Sequence, residues 1–188
     1  MSTEPEKRRR SVRLRGLDYA GRGFYFITIC TQDKKPTLGK ISDYQVRLSG
    51  TGSIVEKCWL EIPQHFPNVY LDEWVIMPNH LHGIIVIKFR RPQVSNEGSA
   101  RRAPTAVAPS YCAEEFGKPI GGSLATIVRS FKSAATKGVR EQLGAEVLPL
   151  WQRNYFEHVI RNEESLNKIR NYIWENPIHW YGDEYYSE

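Results

Sequence analysis

Apolar and polar positions along the 188-residue chain change period several times, and each change marks an element. Residues 24–31, from Phe24 to Thr31, are aromatic and β-branched, which predicts a buried strand. Residues 38–48 allow a short hairpin. Ile54, Val55, Cys58, Trp59 and Ile62 then recur at helical spacing, with Pro63 near the end of the run. Residues 69–77 predict a strand, Pro78-Asn79 a tight connection, and residues 80–89 a second strand whose body is Ile84-Ile85-Val86-Ile87. Residues 90–122 are rich in Arg, Pro, Gly and Ser and carry no sustained apolar period, which predicts a flexible insertion. Ser123 can cap a helix whose apolar stripe is Leu124, Ile127, Val128, Phe131 and Ala135, with Arg129, Lys132, Lys137 and Arg140 on the other side. Residues 155–160 predict a short strand. Asn162 is a good N-cap, Glu163 and Glu164 suit the positive helix start, and Leu166, Ile169 and Ile173 give the last helix its apolar side up to Pro177.

The order is strand, helix, strand, strand, helix, strand, helix. Its first six members match a ferredoxin-like split βαβ arrangement, an antiparallel sheet with helices on one face. The expected class is therefore α+β, with an added C-terminal helix. The length suits one domain, expected at residues 23–180, preceded by an arm over residues 1–22 and followed by a frayed tail at 181–188.

Composition narrows the class. A hydrophobic share of 40% with 12% aromatics excludes a wholly disordered chain. The formal net charge is +5 and the pI about 9.1, a mild excess whose placement matters more than its size. Lys7, Arg8, Arg9, Arg10, Arg13 and Arg15 crowd the arm, where their field suits a phosphate backbone, although a solvated tail would look the same. Cys30, Cys58 and Cys112 lack metal-site spacing and are odd in number, so a reducing cytoplasm is the expected location. No apolar run approaches a membrane span, and Arg8-Arg9 lacks the apolar stretch of an export signal.

Two short motifs carry candidate chemistry. In Pro78-Asn79-His80-Leu81-His82, strand geometry puts His80 and His82 on one face, where two imidazoles can chelate one divalent ion. Alone, a His-x-His pair is as often structural. In the last helix Tyr172 and Asn176 are four apart and share a face at the edge of the apolar side. Asn176 offers an oxygen ligand and Tyr172 a phenol. A half-buried tyrosine with a helix-end asparagine is the plainer alternative for that pair.

Taken together, the motifs resemble those of the single-tyrosine HUH transposases, named for their His-hydrophobic-His pair. The branch they resemble most is the REP-associated tyrosine transposases, relatives linked to repeated palindromes in bacterial genomes. The resemblance runs through residues 8–14, 26–31, 74–83, 127–133 and 150–161 and the Tyr172 helix. It implies that His80 and His82 bind a divalent metal, Mg²⁺ or Mn²⁺. It further implies that Asn176 is the third ligand, where many insertion-sequence members have Gln, and that Tyr172 is the nucleophile. The implied activity is nicking and rejoining of single-stranded DNA through a 5′-phosphotyrosine, on a hairpin with a short adjoining single strand. Arg8, Arg9, Arg10, Arg13, Arg15, Arg129 and Lys132 are the expected DNA contacts, with Trp151, Tyr155 and Trp174 as candidate stacking residues. Monomer and homodimer both remain open.

Three rivals belong to other classes. A DNA-binding protein with a silent site would keep the fold but form no covalent adduct. A ferredoxin-like RNA-binding module would leave the histidine pair unexplained and would want a Gly-Phe-Val run, which is missing. HUH replication initiators and relaxases share the chemistry but carry the tyrosine in other contexts.

Overall fold

A computed structural model describes residues 22–88, 122–144 and 149–186. The arm bearing Arg8, Arg9, Arg10, Arg13 and Arg15, and residues 90–121 of the insertion, lie outside the described residues.

Among the described residues, six strands and four helices follow in chain order: β1 (Gly23–Cys30), β2 (Gly39–Ser42), β3 (Gln45–Leu48), α1 (Gly50–Leu60), α2 (Ile62–His65), β4 (Val69–Ile76), β5 (His80–Ile87), α3 (Leu124–Leu143), β6 (Phe156–Ile160) and α4 (Glu163–Glu175). β1, β4, β5 and β6 form one sheet in the order β4-β5-β1-β6, and every neighbouring pair is antiparallel. β2 and β3 form the separate hairpin that residues 38–48 allow. The architecture is thus α+β, as the element order predicts.

Helices α1, α3 and α4 begin where a side chain can satisfy orphan amides. Ser49 accepts from Gly52 N at 3.1 Å and Ser123 from Thr126 N at 3.4 Å. Asn162 Oδ1 accepts from Ser165 N at 2.8 Å. The helix expected through Ile62 is instead interrupted. α1 stops at Leu60, and Pro63 sits in the first turn of α2, where its missing N–H costs no intrahelical bond.

Strand alternation explains the layers. On one face Tyr25, Ile27 and Ile29 of β1 and Leu81, Ile85 and Ile87 of β5 pack with Trp59 of α1 and Ile127 and Phe131 of α3. Trp59 and Phe131 meet edge to face at 5.3 Å between ring centroids, and burial of such side chains stabilises by roughly 1.5–3 kcal/mol each. Gly83 in β5 permits this closeness, because a Cβ there would lie 2.5 Å from the Trp59 ring. On the opposite face Phe26, Ile84 and Ile160 bury Leu166 and Ile173 of α4. The added helix therefore covers the second side of the sheet. A bidentate pair, Arg170 Nε and a terminal guanidinium nitrogen to Asp72 at 2.7 Å each, ties α4 to β4.

Residues 181–186, the described part of the expected tail, take part in backbone and side-chain hydrogen bonds. Past Asn176 the chain turns through Trp180–Gly182, a 3-10 turn, with Gly182 N bonded to His179 O at 2.9 Å and Trp180 buried. Buried ring surface and side-chain acceptors fix a segment whose composition alone reads as surface tail.

Candidate metal centre and nucleophile

His80 opens β5, and His82 follows on the same face of the strand; both are buried, with ring centroids 4.4 Å apart. Leu81 points into the opposite core, as the alternation predicts. Each ring is held through its Nδ1. His82 Nδ1 lies 2.9 Å from Thr28 Oγ1, and Phe26 stacks on the ring at 5.4 Å. His80 Nδ1 lies 2.8 Å from Asn79 Oδ1. The Asn79 amide nitrogen donates to Lys34 O at 3.0 Å and Tyr185 O at 2.7 Å, so its oxygen must face the histidine as an acceptor. That network places the His80 proton on Nδ1 and leaves the Nε2 lone pair free for a ligand.

Helix α4 brings the second half of the site. The Tyr172 hydroxyl lies 3.2 Å from His82 Nε2, and Asn176 is buried at the end of the helix. Among the described residues, His80 Nε2 and Asn176 Oδ1 are buried without a hydrogen-bond partner. Leaving such atoms bare costs on the order of 1–3 kcal/mol each, so two at one site point to a missing partner. Both are metal donors: neutral imidazole nitrogen and amide oxygen suit a divalent first-row ion or Mg²⁺. The residues fit the expected metal.

Asp183 was not among the expected site residues. Its carboxylate joins His80 and His82 in a group whose ligand atoms lie within 4.8 Å of one another, and it accepts from the Asn176 amide nitrogen at 3.1 Å. Tyr185 also folds over the site, its ring 4.8 Å from that of His80, and its backbone N–H donates to Asp183 at 2.6 Å. No local spacing signals either residue; only the turn after Asn176 brings them back.

The electrostatics suit ligand binding. Burial, then the Lys34 charge, pushes the His80 pKa down to about 3. Burial, then His80, holds His82 well below its usual value, against the pull of Asp183. Both imidazoles are therefore neutral and able to coordinate near neutral pH. Burial, then Asp183 and Glu184, raises the Tyr172 pKa to about 12, with the Asn176 amide opposing the rise. Without added positive charge, the phenol stays protonated at neutral pH.

The remaining expected residues divide. Arg129 is exposed on α3. Lys132 is half-buried and donates to the backbone carbonyls of Gln152, at 2.5 Å, and Arg153, at 3.3 Å. Trp151 belongs to the core and Tyr155 packs against it, whereas Trp174 is 73% exposed. No described helix is long and apolar enough to cross a membrane.

The fold corresponds to that of a solved structure from the class that the sequence resembles. In the solved structure of a REP-associated tyrosine transposase bound to a REP hairpin, the same fold recurs with a TM-score of 0.52 and 18% identity, covering 93% of this chain and 73% of that one. An uncharacterized protein of Haemophilus influenzae is 40% identical over 180 residues, 96% of this chain and 94% of its own length, and the chain belongs to the same family as that protein. No family model matches the chain.

Proposed function

We propose that this protein is a metal-dependent single-strand DNA endonuclease and strand transferase of the REP-associated tyrosine transposase type. The observation that carries the reading is the Tyr172 hydroxyl at 3.2 Å from His82 Nε2, beside the buried, unpartnered His80 Nε2 and Asn176 Oδ1. His80, His82 and Asn176 would hold Mg²⁺ or Mn²⁺, with Asp183 as an acidic neighbour. The ion would supply positive charge against the non-bridging phosphate oxygens and against the phenol as it ionises.

Tyr172 then has the role of nucleophile. Its oxygen bonds to phosphorus as the bond from phosphorus to the 3′ oxygen breaks. The departing oxygen takes up one proton, matching the one the phenol loses. The 5′-phosphotyrosine keeps one ester bond for each one broken, so a second 3′-hydroxyl can reverse the step without ATP. Thr28 and Asn79 fix the imidazoles, and the packing of Phe26 on both His82 and Tyr172 holds the nucleophile to the histidines.

The structural relative is bound to a REP hairpin, and we take hairpin DNA with an unpaired flank as the substrate class here. An end-labelled hairpin carrying such a flank, incubated with Mn²⁺ or with chelator, tests the activity. Cleavage is expected with Mn²⁺ and within the unpaired flank. Equal cleavage in chelator, or efficient cutting of a fully paired duplex, would contradict the proposal, and tight binding without cleavage would favour a silent DNA-binding protein.

A further inference from the structure

The centre formed by His80, His82 and Asn176 is short of negative charge. All three side chains are buried, and as neutral donors they would leave a divalent ion at its full charge. Taking a dication out of water is costly unless an anion offsets it, and a carboxylate among the ligands halves the charge to be buried. Asp183 meets that need: one of its oxygens lies within 4.8 Å of a donor nitrogen on each histidine. A divalent ion with bonds of about 2.1 Å holds its ligand atoms about 3–4.2 Å apart in an octahedron, so a small side-chain rotation closes the set.

The chain after α4 is built to bring this carboxylate back. Asn176 caps the helix, and Pro177 withholds the amide that would continue it. Asp183 N then donates to Trp180 O at 3.1 Å, and Trp180 is buried with its ring 6.0 Å from that of His80. The carboxylate is held from two sides, Oδ1 by Tyr185 N at 2.6 Å and Oδ2 by the Asn176 amide nitrogen at 3.1 Å. Each oxygen keeps a second lone pair, and ligating carboxylates are themselves hydrogen-bonded in this way. Because a carboxylate only accepts, the Asn176 nitrogen faces Asp183 and leaves the unpartnered Oδ1 on the other side of the amide.

A plainer role for Asp183 is to orient Asn176 and touch nothing else. Orientation alone does not call for a charge, however: Asn79 orients His80 with a neutral amide oxygen. A support for Asn176 also has no need to approach both histidines, which Asp183 does.

We infer that Asp183 is a fourth protein ligand of the metal, so that β5, the end of α4 and the chain returning after it close on one ion. This rests on the metal centre of the proposed function, but its test reads metal binding without DNA or cleavage. Calorimetric titration of the metal-free full chain with Mn²⁺ compares wild type, Asp183→Asn, Asp183→Glu and His80→Ala, with circular dichroism to confirm each fold. Asp183→Asn is expected to bind at least about tenfold more weakly than wild type. Asp183→Glu keeps the charge and is expected to bind more tightly than Asp183→Asn. In an Asn176→Ala background, Asp183→Asn is expected to weaken binding again by at least about fivefold, whereas a mere support for Asn176 would add no loss there. The visible absorption of bound Co²⁺, which follows the number and type of its ligands, is expected to differ between wild type and Asp183→Asn. Wild-type affinity in Asp183→Asn, an effect that vanishes without Asn176, no gain from the Glu variant, or identical Co²⁺ spectra would each overturn the assignment. Binding lost in His80→Ala alone would then leave the histidine centre standing, and absence of cleavage would bear only on the strand-transferase reading.

Discussion

At the residue scale, short-range backbone geometry sets each half of the site. His80 and His82 share a face because strand side chains alternate, and Tyr172 and Asn176 share one because the helix repeats near four. The structure brings these four together through a contact between residues 90 apart. Asn79 and Asp183 were not legible in these roles. Asn79 reads as a turn residue until Lys34 O and Tyr185 O, remote in sequence, engage its amide nitrogen and orient its oxygen toward His80. Calorimetric titration with Mn²⁺ separates ligands from supports. His80→Ala and His82→Ala are each expected to abolish measurable binding, and Asn79→Ala to weaken it by roughly ten- to a hundredfold through loss of the His80 tautomer. Unchanged affinity in both histidine variants would make the pair structural.

At the scale of elements, the strands and caps were readable because their signals are local. Which face of the sheet α4 covers was not. Leu166, Ile169 and Ile173 declare an apolar side but not its partner, and the partner is set by Phe26, Ile84 and Ile160 facing away from α1 and α3. The consecutive apolar residues Ile84-Ile85-Val86-Ile87 acquire their meaning here, since a sheet covered on both sides buries both alternating sets. The Asp72–Arg170 pair adds orientation. Arg170 holds the Asp72 carboxyl below its ordinary pKa, chiefly through the side-chain hydrogen bond. A lowered folded-state pKa stabilises above the unfolded value and loses that contribution as pH falls through the folded one. Asp72→Asn is therefore expected to cost about 1 kcal/mol near neutral pH, discounted to this level because Arg170 is partly exposed. Urea unfolding at descending pH should show the two proteins converge below the ordinary carboxylate range; a constant gap would assign the cost to packing instead of charge.

At the scale of the whole molecule, the catalytic and basic surfaces arise from segments that sequence order separates. The charge of α3 was visible in its Arg and Lys spacing, but Arg153 joins Arg129, Lys132, Lys137 and Arg140 at one groove only because the segment before β6 folds back along the end of β1. Likewise the C-terminal segment reaches the histidines only by turning after Asn176. The central claim, that Tyr172 becomes covalently joined to DNA, has a direct measurement. Wild type and Tyr172→Phe are incubated with Mn²⁺ and a flanked hairpin labelled at its 3′ end, then resolved under denaturing conditions, with the linkage mapped by peptide mass spectrometry. The wild type is expected to yield a labelled band at protein mass, linked at Tyr172. The Phe variant is expected to yield none while binding the hairpin within twofold of wild type. A normal adduct in the Phe variant, or a wild-type linkage mapped to Tyr185, would contradict the assignment.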